Sequence, residues 1–235
     1  MSAVADAEHY EHHRQVSGGW FRAGVFGVSD GLVTNLSLIL GFVGANPGHS
    51  VVRLAGLAGL VAGGFSMASG EYVSMRAQKE LLEYEIEVER LSIAQSPDAE
   101  REELKGMFIA RGIDEDLAER LAIDLMRDPD LALRTHAREE LGVDPSATGS
   151  PWSAAVSSLI AFGLGAFVPL LPWLVSSSGN VIAWSLGLGA AAALGVGAVI
   201  GWFSRRGIVK WAFVQLLVAV LASAVTFGIG RLVGA

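Results

Sequence analysis

The stretch that decides the fold is Trp20–Ala45, WFRAGVFGVSDGLVTNLSLILGFVGA, an apolar run with one carboxylate, Asp30. An apolar run of about 20 residues is long enough to cross the hydrocarbon core of a bilayer as a helix. Four further stretches meet the same criterion: Val51–Val73, Trp152–Val175, Val181–Phe203 and Ile208–Val233. The sequence therefore predicts an all-α polytopic membrane protein with five transmembrane helices.

Charged side chains are concentrated between the second and third of these stretches. The 235 residues are 51% hydrophobic, 17% charged and free of cysteine, and residues 76–150 hold 19 of the 24 acidic residues. The lack of cysteine excludes disulfide frameworks, zinc–thiolate sites and iron–sulfur clusters. The acidic surplus of this insert argues against nucleic acid binding. No P-loop, dinucleotide or nucleophile motif occurs, so neither an ATP-driven pump nor an enzyme is expected.

The chain divides into four predicted regions: an N-terminal tail (1–19), transmembrane helices 1 and 2 (20–75), an acidic helical insert (76–150), and transmembrane helices 3–5 (151–235). Five spans place the termini on opposite sides of the membrane. By the positive-inside rule, Arg205, Arg206 and Lys210 place the loop after the fourth span in the cytosol, together with the tail and the insert. The C-terminus is then expected on the far side.

Helix start and stop signals predict four helical pieces in and before the insert. They are Met75–Ala94 as a continuation of the second span, Ser96-Pro97 to about Gly112, Asp114 to just before Pro129, and about Asp130 to Gly142. A turn-rich linker, Val143–Pro151, follows. In the third span, Pro169 and Pro172 predict a kink or a local break. The spacing of Gly189, Ala193, Gly197 and Gly201 predicts close helix packing in the fourth.

Asp30 lies near the middle of the first span, where an ionisable group is by default a functional hypothesis. Thr34, Ser37 and Gly41 follow on the same helical face. Two structural alternatives are a carboxylate that caps a broken helix and one that pairs with Arg22. The interpretation that we favour is a metal ligand inside the membrane.

In the second span, Gly59, Gly63, Met67 and Glu71 recur at steps of four. A carboxylate with a thioether suits a transition metal, since a soft sulfur ligand biases a site away from Mg²⁺ and Ca²⁺. The alternative for Met67 is simple core packing. Together with Asp30, Met67 and Glu71 form the predicted metal path in the membrane.

The insert carries carboxylates at helical spacing: Glu80, Glu83 and Glu87 on one face, Glu85 and Glu89 on another, and Glu100 and Glu103 after a turn. Clustered carboxylates bind divalent cations and couple binding to proton release. The alternative is an ordinary solvated, charged helix face. The tail segment Glu8–His13, EHYEHH, could also bind metal, although its composition favours disorder.

Two segments of the spans resemble the signature motifs of the vacuolar iron transporter family, which includes the yeast iron and manganese transporter and plant nodulin-21-like proteins. They are Ser29–Thr34, SDGLVT, and Ser66–Tyr72, SMASGEY. Five spans with a helical insert after the second, and an EELG segment at Glu139–Gly142 before a proline-containing third span, are also similar to this family.

The resemblance implies a homodimer that moves Fe²⁺, and often Mn²⁺, out of the cytosol in exchange for protons along the dimer interface. It implies in-membrane ligands at Asp30 and Met67, and cytosolic metal-binding glutamates at Glu89, Glu100, Glu103 and Glu140. The chain departs from the plant members at Ser92, where they have a ligand glutamate, at His136 and Ala137, where they have methionines, and at Gly59, where they have a glutamate. His136 is still expected to bind metal, and Glu71 to supply the carboxylate missing at Gly59.

We therefore expect a divalent metal exporter that works by proton antiport, with the insert capturing the ion and the ion displacing a proton at Asp30. No resident cofactor is expected. Two other classes of function stay open: a membrane-anchored metal sensor or storage-linked protein without net transport, and a scaffold whose insert binds a basic partner. The lack of a signal peptide or other targeting signal favours a prokaryotic plasma membrane over a vacuolar membrane.

Overall fold

A computed structural model describes residues 19–140, 142, 149–176 and 179–234, with side chains in the first helix from Gly24 onward. Eight α-helices form these parts of the chain: α1 (Gly19–Gly44), α2 (His49–Gln95), α3 (Pro97–Ala110), α4 (Glu115–Met126), α5 (Pro129–Glu139), α6 (Pro151–Val175), α7 (Val181–Phe203) and α8 (Ile208–Val233). The tail with its EHYEHH segment, the Arg22 side chain and most of the linker at 143–150 lie outside the described residues.

Five of the helices, α1, α2, α6, α7 and α8, are long and apolar enough to cross a membrane. The predicted all-α fold with five spans is therefore confirmed, and the protein is an integral membrane protein. α2 is a single helix of 47 residues, so Met75–Ala94 continues the second span as predicted. α1 is also unbroken around Asp30, which excludes a carboxylate that caps a broken helix there.

α6 contains both Pro169 and Pro172 within one helix, so the local break does not occur, while the alternative of a kink stays a prediction. Side chains from other helices hydrogen-bond to carbonyl groups in this region. Ser185 Oγ donates to the carbonyl of Pro169 at 2.6 Å, and Asn35 Nδ2 donates to that of Ala166 at 2.7 Å. These bonds join α6 to α1 and α7, as polar side chains commonly do between spanning helices.

The chain divides into two compact units, which are described separately. The span unit comprises residues 1–69 and 155–235, and the insert unit comprises Gly70–Ala154. Within the insert unit, α3 and α4 enclose an apolar core of Leu104, Phe108, Ala118 and Ala122.

Caps fix the helices of the insert unit. Asp114 Oδ1 accepts a hydrogen bond from the Asp116 N–H at 3.1 Å and begins α4, as predicted. α5 begins at Pro129, one residue before the predicted start at about Asp130, and the Asp128 carboxylate caps it by accepting the N–H groups of Asp130 and Leu131. Ser96 stands at the start of α3, but its side chain makes no cap bond.

In the span unit, small residues let helix backbones approach each other closely. Gly189, Ala193, Gly197 and Gly201 are all buried in α7, and a Cβ at Gly197 would collide with the carbonyl of Trp211 in α8. A Cβ at Gly165 in α6 would likewise collide with the carbonyl of Val28 in α1. Small-xxx-small packing of this kind is the usual basis of helix association in membranes.

The contact at Gly165 predicts that Gly165→Ala destabilises the protein by about 1–3 kcal/mol, the typical cost of overpacking a tight interior. Gly163→Ala is the matched control, since nothing lies within 4 Å of a Cβ at that position in the same helix. Thermal unfolding of the purified full chain in detergent measures both. Equal melting temperatures for the two variants would contradict close backbone packing of α1 against α6.

Candidate metal centre

Three side chains of the insert unit converge at one point: Glu89 from α2, Glu100 from α3 and His136 from α5. One ligand atom of each lies within 4.8 Å of the others. His136 Nδ1 is 2.9 Å from Glu89 Oε1 and 3.7 Å from Glu100 Oε2. We call these three residues the donor cluster.

The order of helices explains how residues distant in sequence meet. α2 ends at Gln95 and α3 begins at Pro97, so the chain changes direction between Glu89 and Glu100. Pro97 suits this point because its missing N–H is not needed in a first turn. Asp128 caps α5 and thereby fixes the start of the helix that carries His136.

The donor cluster is buried, and three of its nitrogen and oxygen atoms have no hydrogen-bond partner among the described residues. His136 is 0% exposed, and Glu89 and Glu100 are each 9% exposed. Glu89 Oε1 and both ring nitrogens of His136 have no hydrogen-bond partner among the described residues, because the 2.9 Å contact lacks hydrogen-bond geometry. An unpaired buried polar group costs about 1–3 kcal/mol. A bound cation coordinated by these atoms would remove this cost.

Electrostatics favour a proton on the empty cluster. Burial raises the pKa of Glu89 to about 7, with smaller contributions from the negative charges of Glu100, Glu140 and Glu103. Burial also raises the pKa of Glu100, with Glu103 and Glu140 adding to the effect. Burial lowers the pKa of His136, against the charge of Glu103. The imidazole is therefore neutral near pH 7 and available as a ligand.

Two further predicted ligands, Glu103 and Glu140, lie close enough to act electrostatically on Glu89 and Glu100. Their side chains are exposed, and neither belongs to the donor cluster. They are positioned at its solvent side, where negative charge raises the local concentration of cations. The structure thus brings three of the five predicted insert ligands together in a buried centre and leaves two outside it.

In the span unit, Asp30 is half-buried in α1, and Thr34 Oγ1 donates a hydrogen bond to its carboxylate at 3.3 Å. The rest of the predicted polar stripe serves packing. Ser37 Oγ is 3.5 Å from Ser223 Oγ of α8, and Thr226 Oγ1 donates to the Ser37 carbonyl at 2.7 Å.

The Met67 side chain of α2 packs against α1, since its methyl carbon is 3.5 Å from the position of a Cβ on Gly27. Gly27 precedes Asp30 by about one turn, so the thioether lies beside the segment that carries the carboxylate. Glu71 is half-buried in α2 and belongs to the insert unit. No hydrogen bond or ion pair with another described residue is found for it.

Sequence reasoning missed Gln215, which is 9% exposed in α8. Its Nε2 donates a 2.6 Å hydrogen bond to the hydroxyl of Ser29, the residue before Asp30. The sequence could have indicated this contact, because Gln215 is an amide in an otherwise apolar span and polar side chains in membranes usually hydrogen-bond across helices. Gln215 fixes the backbone position of the α1 segment that carries Asp30.

The chemistry of the donor cluster suits a divalent transition metal. Two carboxylate oxygens provide hard ligands that suit Mn²⁺, and an imidazole nitrogen favours iron and later metals over Mg²⁺ and Ca²⁺. Three protein donors leave positions for water, which permits exchange of the ion. The cluster can therefore hold a metal ion reversibly.

The chain is similar to proteins named as iron transporters. A sequence profile described as the VIT family matches residues 21–231. The chain is 35% identical over 229 residues to the vacuolar iron transporter of Acanthamoeba castellanii, covering 94% of this chain and 82% of that protein. It is 29% identical to vacuolar iron transporter 1 of Oryza sativa subsp. japonica, covering 97% and 92%, and 28% identical to that of Arabidopsis thaliana, covering 96% and 91%.

The donor cluster predicts that Glu89→Gln weakens Mn²⁺ binding at least about tenfold, because an amide replaces one of two charged ligands. Isothermal titration of the full chain in detergent measures the affinity. Glu87→Gln is the matched control, since it makes the same change on an exposed side chain of the same helix. An equal effect of both variants would attribute binding to the general negative charge of the insert.

The raised pKa of Glu89 predicts pH-dependent binding. The carboxylate must lose its proton to bind a metal, and its pKa is about 7 in the empty fold. Mn²⁺ affinity should therefore fall by roughly tenfold per pH unit below 7 for each proton displaced, and level off above it. Titrations from pH 5.5 to 8 measure this slope, which should decrease in Glu89→Gln. A flat wild-type profile would contradict proton displacement.

Proposed function

The chain belongs to the VIT family, a transporter family, and on that premise we propose that it exports Fe²⁺, and also Mn²⁺, from the cytosol by proton antiport. Relatives named vacuolar iron transporters support metal-ion transport in general. The observation that supports the finer proposal is the donor cluster, in which Glu89, Glu100 and His136 converge in a buried place. Glu89 Oε1 and both ring nitrogens of His136 have no hydrogen-bond partner among the described residues.

The insert unit performs the capture step in this proposal. The positive-inside rule places it in the cytosol, and the exposed carboxylates of Glu103 and Glu140 attract divalent cations to its surface. The ion then enters the donor cluster and displaces the proton of Glu89, so capture becomes stronger as cytosolic pH rises. His136 provides the neutral nitrogen ligand that favours Fe²⁺ over Mg²⁺, and the carboxylates suit Mn²⁺.

Asp30, Met67 and Glu71 carry the membrane step. Asp30 is a carboxylate that can hold either a metal ion or a proton, and this exclusive occupancy couples the two fluxes. Met67 packs beside the same segment of α1 and supplies a soft ligand. Glu71 binds the ion on the cytosolic side before it moves to these two residues.

A homodimer is part of the proposal, and the exposed face of α1 supports it. Phe26, Asp30 and Thr34 follow each other at steps of four on this helix. Phe26 is 63% exposed, Thr34 is exposed and Asp30 is half-buried. A carboxylate at membrane depth faces protein or water and not lipid. A second copy of the chain packed along this face would remove Asp30 from lipid and place two metal paths at one interface.

The membrane that holds the protein stays a prediction. The relatives are named vacuolar, so the comparisons give no support to a prokaryotic plasma membrane. Export from the cytosol is compatible with either location, since both membranes border the cytosol.

The proposal predicts Mn²⁺ flux into proteoliposomes that is driven by an imposed pH gradient and lost in Asp30→Asn, which cannot exchange a proton at this site. Glu87→Gln, an exposed carboxylate-to-amide change outside the path, should transport normally. The double variant Glu89→Gln with Glu100→Gln should transport slowly at low Mn²⁺ and recover at high Mn²⁺, since capture and not passage is impaired.

Two results would change the conclusion. Mn²⁺ flux that does not depend on the imposed pH gradient would contradict the antiport mechanism. Mn²⁺ binding without flux in the wild-type protein would favour a membrane-anchored sensor or storage-linked protein.

A further inference from the structure

The connection between α7 and α8 forms an open cleft with an unusual backbone. Arg205 has φ of 53° and Gly207 has φ of 99°. A positive φ is uncommon for a residue other than glycine. This turn shapes a cleft of about 490 Å³, whose lining includes Trp202, Arg205, Val209 and Lys210. Small-ligand sites have volumes of about 300–1,000 Å³.

Three cations occur here without a neutralising partner. Arg205, Arg206 and Lys210 are exposed, and none forms an ion pair with another described residue. Residues 151–235 contain no acidic residue. In the described part of the span unit, Asp30 is the one carboxylate, and Thr34 is its hydrogen-bond donor. These cations are therefore available to bind an anion from outside the described span unit.

The other side of the cleft is apolar and continues along α8. Trp202 is 57% exposed and Val209 is 68% exposed, and Phe213, one turn after Val209 on the same face, is 62% exposed. Tryptophan and basic residues at the ends of spanning helices mark the boundary between membrane and water. The cleft thus presents two cations at the level of the lipid headgroups and an apolar strip at the level of the acyl chains.

We propose that this cleft binds one anionic phospholipid, whose phosphate pairs with Arg205 and Lys210 and whose acyl chain lies along Val209 and Phe213. An arginine guanidinium can bind two phosphate oxygens at once, and basic pockets between spanning helices suit lipid headgroups. The first N–H groups of α8 add further donors, because they have no partner within the helix. A soluble phosphate would use the cations and leave the apolar strip uncovered, so the lipid is the better match.

The test is binding of phosphatidylglycerol and of phosphatidylcholine to the purified full chain, measured by native mass spectrometry. The wild-type protein should retain one phosphatidylglycerol and discriminate against phosphatidylcholine. In the double variant R205Q/K210Q, phosphatidylglycerol affinity should fall roughly thirtyfold, since each basic residue near a lipid surface contributes to binding. The control R53Q/R231Q removes two exposed charges of the span unit that lie outside the cleft and should bind as the wild type does.

Three outcomes would overturn the proposal. The first is an equal loss of phosphatidylglycerol affinity in R205Q/K210Q and R53Q/R231Q, and the second is equal retention of phosphatidylglycerol and phosphatidylcholine by the wild type. The third is displacement of phosphatidylglycerol by a similar concentration of glycerol phosphate, which would define a site for a soluble anion. The melting temperature in phosphatidylcholine alone checks that each variant is folded. If R205Q/K210Q has a lower melting temperature than the wild type, the single variant Lys210→Gln replaces it, because Lys210 lies in the regular part of α8. Its phosphatidylglycerol affinity should fall about fivefold. These readouts concern lipid binding and are independent of metal transport.

Discussion

The cost of moving an ionised side chain from water into an apolar medium constrains every part of this chain. In the described part of the span unit, Asp30 is the single acidic residue, and it accepts a hydrogen bond from Thr34. In the described insert unit, the buried acidic residues are Glu89 and Glu100, which meet His136. The two buried carboxylates of the described insert unit therefore lie together at the position where the proposed function requires a cation.

Hydrogen bonds between helices hold the first of these sites in place. Lipid offers no hydrophobic driving force between spanning helices, so close packing and polar contacts must hold them together. Asn35 donates to the carbonyl of Ala166 in α6, and Thr226 donates to that of Ser37 in α1. Gln215 binds Ser29 next to Asp30. α1 is therefore fixed on both sides of its carboxylate, and a metal ligand on this helix keeps its position.

The sequence alone predicts the helices, but it predicts the residues of the candidate metal centre only in part. Spans, caps and the continuation of α2 depend on local composition, which a single chain displays. The set of metal ligands depends on which faces of α2, α3 and α5 meet, and helical spacing alone does not determine this. For this reason Glu103 and Glu140, predicted in the same way as Glu89, are exposed beside the cluster. The complete burial of His136, and the contact of Gln215 with Ser29, likewise follow from tertiary packing.

In the proposed function, the burial that makes the donor cluster costly also couples metal binding to the loss of a proton. Burial, with a smaller contribution from the negative charge of Glu100, raises the pKa of Glu89 to about 7, so near neutral pH this carboxylate carries a proton in part of the molecules when the site is empty. A divalent ion replaces that proton and compensates both carboxylates. Because His136 stays neutral, the third ligand adds no charge and favours ions that bind nitrogen. Mg²⁺ gains little binding free energy at the donor cluster, since it releases its coordinated water reluctantly. In the proposed function, the exclusion of water from these side chains therefore explains proton displacement, and the imidazole nitrogen explains the preference for transition metals.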